Sequence, residues 1–160
     1  MNELLITNSP EETEAFGARV AEHIANDGDA PKFIALYGDL GVGKTAFVRG
    51  LASVIAPDSA VRSPTFALVN EYKAKPLSLF HFDMYRIEDE DDLYSTGFYD
   101  YMDGVSVLFI EWSENIDNAL PEDAVRVEFF RGETDTERII QVTGATIHED
   151  FGSRLHGETR

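Results

Sequence analysis

The chain contains no cysteine. Disulfide scaffolds, thiolate metal sites and cysteine nucleophiles are excluded together. Basic residues are scarce: Lys and Arg number 13 against 30 Asp and Glu, a formal net charge of −17. That excludes a protein that grips nucleic acid by basic attraction, so an RNA-facing role would need a partner to supply the positive surface. No run approaches the roughly 18 apolar residues of a membrane span. The start, Met1 to Ile6, has neither a basic region nor a long apolar stretch and does not read as a signal peptide. A cytoplasmic setting without membrane association is the expectation. With 12 glycines and 6 prolines there is no linker signal, and no internal repeat is visible.

What is present suits one α/β domain. A chain of 160 residues with 43% hydrophobic content can bury a sizeable core. Ser9-Pro10-Glu11-Glu12 reads as a capped helix start, and Phe16, Val20 and Ile24 follow at helical spacing until Asn26 to Asp29. Residues 33–56 read strand, glycine-rich turn, helix, with Phe47, Val48, Leu51 and Ile55 as the apolar stripe. Residues 66–72 and 77–82 form an expected antiparallel hairpin about Lys73 to Pro76. A short acidic helix is expected over 88–94. Strands are expected over 105–110, over 124–129 (alternating, as an edge or half-exposed strand) and over 139–142. The domain spans 1–143, and 144–160 is a polar tail. Strands interleaved with helices predict a mixed central sheet with flanking helices.

One segment carries specific chemistry. Gly38-Asp39-Leu40-Gly41-Val42-Gly43-Lys44-Thr45 matches the phosphate-loop pattern G-x-x-x-x-G-K-[ST]. Glycines let the backbone turn tightly, so successive N–H groups point at phosphate oxygens. The following helix offers its positive end to the same anion. In that pattern Lys44 reaches the β- and γ-phosphates, and the Thr45 hydroxyl ligates Mg²⁺. A strand precedes the loop and a helix follows, as a P-loop NTPase domain requires.

Four further segments each have a functional and a bland reading. Ser63-Pro64-Thr65-Phe66 is either a surface turn or a switch whose Thr65 hydroxyl senses the γ-phosphate or the metal. Asp83 ends a strand and either holds Mg²⁺ or caps the next turn. His81, two residues earlier, reads as a packed or surface histidine rather than a ligand. Glu111 also ends a strand; it orients or deprotonates a water, or joins the metal shell. From the residues alone, Asp83 and Glu111 rank equally for the metal. Trp112 either stacks near a nucleotide or covers the core edge. Glu88 to Asp92 is a run of five acids, either a solvated helix start or a docking surface for a basic partner.

Taken in order, the phosphate loop, Ser63-Pro64-Thr65-Phe66, His81-Phe82-Asp83-Met84-Tyr85-Arg86 and Ile110-Glu111-Trp112 resemble the TsaE (YjeE) family. The resemblance runs from about residue 5 to 130 and leaves the tail out. It implies a P-loop α/β fold that binds ATP with Mg²⁺ and hydrolyses it slowly. It implies TsaD and TsaB as partners in the threonylcarbamoyl modification of adenosine 37 of tRNA, with tRNA met only through that complex. The protein alone is then a monomer or weakly self-associating. The nucleotide site it implies is Asp39, Leu40, Gly41, Val42, Gly43, Lys44, Thr45 and Ala46, with Thr65 and Trp112. Thr45, Asp83 and Glu111 form the implied metal set, and Glu111, Lys44 and Asp83 the implied catalytic group. Many relatives have proline after the tryptophan, where this chain has Ser113.

Two other P-loop classes fit less well. A small-molecule kinase shares the loop, but its arginine-dense lid is missing here. A GTPase would carry Asn-Lys-x-Asp and Asp-x-x-Gly, and neither string occurs.

Overall fold

Phe33–Tyr37 and Val107–Glu111 are apolar at nearly every position, which suits only strands covered on both faces. In the computed structural model they lie side by side in the middle of a seven-stranded sheet. The structure describes residues 2–26, 32–39, 42–61, 69–74, 77–102 and 105–143. Thr65 with its segment, Leu40, Gly41 and the tail 144–160 fall outside these residues.

In chain order the elements are β1 (Asn2–Thr7), α1 (Pro10–Asn26), β2 (Phe33–Tyr37), α2 (Lys44–Ile55), β3 (Val69–Tyr72) and β4 (Leu79–Asp83). Then come α3 (Glu90–Ser95), a 3-10 turn (Phe98–Tyr101), β5 (Val107–Glu111), a second 3-10 segment (Ser113–Ala119), β6 (Val125–Arg131) and β7 (Arg138–Thr143). The sheet order is β1-β7-β6-β2-β5-β4-β3. β4, β5, β2 and β6 run parallel. β3 pairs antiparallel with β4, and β7 antiparallel with both β6 and β1. The expected mixed sheet and the antiparallel β3–β4 pairing are therefore present; residues 66–68 of the expected hairpin and Lys75-Pro76 of its turn lie outside the described residues.

Helices α1 and α2 pack together on one face. Phe16, Val20, Ile24, Phe47, Leu51 and Ile55 meet Ile34, Leu36, Phe109, Val127 and Phe129 of the sheet there. The two helices approach so closely that a β-carbon on Gly17 would strike the Phe47 carbonyl, and one on Gly50 the Glu14 carbonyl. The other face is covered by α3 and the two 3-10 segments through Leu93, Phe98 and Ile116, against Phe33, Phe82, Leu108 and Ile110. The α1 cap matches the sequence reading: the Glu12 N–H donates to Ser9 Oγ at 3.1 Å. The Glu12 carboxylate takes the Asn8 N–H at 2.6 Å, one residue earlier than a capping box requires.

One element is added, one expectation is narrowed and one is corrected. Asn2–Thr7 is an edge strand that the sequence reading left unassigned. Of the two expectations for the strand over 124–129, edge or half-exposed, the structure shows the second: β6 lies between β7 and β2. Its alternation is real, with Val125, Val127 and Phe129 buried, but alternation reports a half-covered face and not a sheet border. The acidic helix begins at Glu90 because Asp89 caps it, its carboxylate accepting the Asp92 N–H at 2.8 Å.

Candidate nucleotide site

β2, β4 and β5 end at the same border of the sheet, and the loop that leaves β2 turns back over that border into α2. In parallel sheets this C-terminal border is where ligands bind. The loop's turns require glycine: Gly38 has φ 134° and Gly43 φ 109°. Gly43 starts α2, and among the described residues no side chain caps that helix and no acid occupies its first turn. The open N–H groups and the helix dipole fit an anion.

Lys44 opens α2 and is buried. Its Nζ donates to the Gly38 carbonyl at 2.6 Å and lies 5.2 Å from the centre of the Trp112 ring. The ammonium thus stands across the mouth of its own loop. Thr45 is half-buried in the first turn, and Val42 of the loop and Ala46 of the helix are buried. Asp39 is exposed at the rim.

Asp83 and Glu111 are register partners at the ends of β4 and β5. Asp83 Oδ1 accepts the Tyr85 N–H at 2.9 Å, so the turn-capping reading holds for one oxygen and leaves the other for a second role. Burial raises the Asp83 carboxyl above its ordinary value; the Tyr85 N–H opposes this, and the nearby Glu111 charge adds to it. Glu111 is more deeply buried, which by itself would raise it. The hydrogen bond and charge of His81, with Lys44 behind them, outweigh that and hold it below the usual carboxylate range. Among the described residues, no three His, Cys, Asp or Glu side chains gather as a metal cluster. A pair of carboxylates near a phosphate loop suits Mg²⁺, which binds one or two carboxylates together with substrate phosphates.

Trp112 follows Glu111 in the left-handed region, φ 59° and ψ 42°. The turn carries its ring over Lys44 and against Tyr85, with ring centroids 5.0 Å apart. Ser113, the next residue, donates its hydroxyl to the Ile110 carbonyl at 2.8 Å. Asn115 ties this turn to the one after β4, its Nδ2 donating to the Met84 carbonyl at 2.8 Å. Lys44, Trp112, Asp83 and Glu111 are therefore brought to one place.

Of the two expectations for His81, packed or at the surface, the structure shows the packed one, and it adds Arg138 and Tyr37, for which the sequence carries no site expectation. His81 is buried with its Nε2 2.9 Å from Glu111 Oε2. Its spacing of two from Asp83, which puts both on one face of a strand, is the signal that could have found it. Arg138, at the start of β7, donates Nε to the Val42 carbonyl at 2.9 Å across 96 positions of sequence. No local pattern marks it. Tyr37 donates its hydroxyl to Asp117 at 2.8 Å, and Arg126 pairs with the same carboxylate at 3.1 Å. Burial and then the Asp117 bond push the Tyr37 phenol above its ordinary range.

Strand, glycine loop, uncapped helix and two acids at neighbouring strand ends define an α/β domain of the P-loop class. The family model for "Threonylcarbamoyl adenosine biosynthesis protein TsaE" matches residues 7–140, and the chain belongs to that family. It is 37% identical over 133 residues to the tRNA threonylcarbamoyladenosine biosynthesis protein TsaE of Bacillus subtilis, covering 83% of this chain and 80% of that one. The Aquifex aeolicus protein of the same name is 42% identical over 105 residues, 64% of this chain and 74% of its own. The crystal structure of Bacillus subtilis YdiB superposes with a TM-score of 0.68 at 28% identity, covering 100% of this chain and 97% of that chain. Among the described residues no helix is long and apolar enough to cross a membrane.

Proposed function

We propose that this chain binds ATP with Mg²⁺ and hydrolyses it slowly, in support of the threonylcarbamoyladenosine modification of tRNA. The observation that carries this reading is the convergence of an uncapped α2 terminus, Lys44 and the Asp83–Glu111 pair at one sheet border. Bound Mg²⁺ would draw charge from the β- and γ-phosphates. The Thr45 hydroxyl and the Asp83 carboxylate would hold it. Lys44 would exchange the Gly38 carbonyl for a phosphate oxygen, and Glu111 would orient the attacking water. Thr65 would report the γ-phosphate as a switch. TsaD and TsaB are the proposed partners, and the cytoplasm the proposed setting. A net charge of −17 accords with a protein that meets tRNA only through such a complex.

The test is phosphate release from Mg-ATP, by the chain alone and with a TsaD–TsaB pair. Slow release that changes when the pair is added is the expected result. Release unaffected by the pair would overturn the role in tRNA modification and direct the search to phosphate acceptors of a small-molecule kinase.

A further inference from the structure

His81 is 1% exposed, in the middle of β4. Its ring stacks on Phe109, the residue directly across in β5, with centroids 4.5 Å apart and planes 29° apart. Nε2 lies 2.9 Å from Glu111 Oε2, while Nδ1 is buried with no hydrogen-bond partner among the described residues. These contacts assign the proton. A bare Nε2 facing a carboxylate would set two acceptors against each other, so Nε2 carries the hydrogen and donates it.

A buried histidine with a single partner can be ordinary core packing. Its placement argues for more. The one acceptor it touches is the acid at the end of the adjacent strand, at the border where Lys44 and Asp83 also stand. The strand and the Phe109 stack fix the imidazole plane, and a fixed donor fixes the carboxylate it holds. We propose that His81 is a positioning residue: its Nε2–H pins Oε2 of Glu111 and leaves Oε1 free for the attacking water. This rests on the ATPase reading above.

His81→Phe keeps a planar ring on Phe109 and removes the donor. His81→Gln returns an amide N–H close to the Nε2 position. Mg-ATP turnover by His81→Phe should fall tenfold or more while the ATP dissociation constant stays within threefold. His81→Gln should recover most of the turnover. If His81→Phe does not fold, His81→Asn, too short to reach Oε2, carries the same expectation. A second readout needs no nucleotide. His81→Phe should lower the melting temperature of the free protein by roughly 3 °C or more, the scale of a lost charge-assisted hydrogen bond. In a Glu111→Leu background that loss should vanish. Equal losses in the two backgrounds, or His81→Phe turnover within twofold of the parent, would overturn the role of His81. A parent chain that releases no phosphate at all would instead overturn the ATPase reading.

Discussion

Arg138 offers a sharp test because no sequence motif points to it. Its guanidinium donates to three main-chain carbonyls: Nε to Val42 at 2.9 Å, and Nη1 to Asp135 and Glu137 at 2.8 Å each. The last two bonds stay within the β6–β7 turn. Only the first crosses to the phosphate loop, where it fixes the carbonyl of Val42 just before Gly43. A hydrogen bond from a charged group contributes roughly 1.5–3 kcal/mol, and half-exposure of Arg138 points to the lower figure. In Arg138→Ala the loop must be ordered by the ligand itself. The cost of about 1.5 kcal/mol then appears as roughly tenfold weaker ATP binding. Arg138→Lys should behave much like the alanine variant, since one ammonium cannot span three carbonyls held by a planar fork. Isothermal titration with Mg-ATP measures the effect, with turnover at saturating ATP as the control. Saturated turnover should stay near the parent value, because none of these three hydrogen bonds reaches Asp83 or Glu111. Arg138→Ala affinity within twofold of the parent would refute the loop-ordering argument.

Three further outcomes are expected. Lys44→Ala should abolish tight ATP binding, and an unchanged titration curve for that variant would sink the assignment of the loop. Gly50→Ala should lower the melting temperature by about 2–10 °C, because its β-carbon meets the Glu14 carbonyl and overpacking costs roughly 1–3 kcal/mol. A thermal scan showing no loss would mean that the helices separate freely. Asp83→Asn should raise the melting temperature at pH 7. The folded-state carboxyl is raised above its ordinary value of 3.8, so its ionisation costs stability as pH climbs from about 3.8 through the folded value, and the cost persists above it. The gain should shrink below pH 3.8, where both states are protonated. A gain that is the same at pH 3 and pH 7 would exclude the charge as its cause.

What could be read in the sequence divides by range. The β2–loop–α2 unit was legible because its signals lie within about twenty positions: an apolar run, fixed glycines, then a helical stripe. β1 was not. Leu4, Leu5 and Ile6 are adjacent and show no alternation, and the strand exists through pairing with β7 at the other end of the domain. β6 was legible as a strand but not in its place, because outward Arg126 and Glu128 give the same pattern at a border as beside a neighbour. The site divides in the same way. Lys44 follows from the phosphate-loop pattern, Asp83 and Glu111 from acids at strand ends and Trp112 from its place after Glu111, and they do converge. The Val42 tether from Arg138 depends on β7 lying next to β6 and β6 next to β2, which no local pattern encodes.

Equal ranking of Asp83 and Glu111 from sequence gives way to a distinction set by their surroundings. Both carboxylates lose water, yet only Glu111 gains a buried donor in return. Asp83 receives a main-chain N–H on one oxygen, and the charge of Glu111 stands against it. When two nearby acids are pushed in opposite directions, their environments suit them to different tasks. Glu111, already compensated by His81 and Lys44, remains ionised without a metal and suits the orientation of water. Asp83 is the acid whose ionisation is penalised in the free protein, so it gains most from an added cation. The proposed metal position therefore belongs with Asp83 and the Thr45 hydroxyl. On this argument Glu111→Ala removes turnover more than binding, whereas Asp83→Asn removes the stabilisation that Mg²⁺ with ATP would otherwise add to the parent.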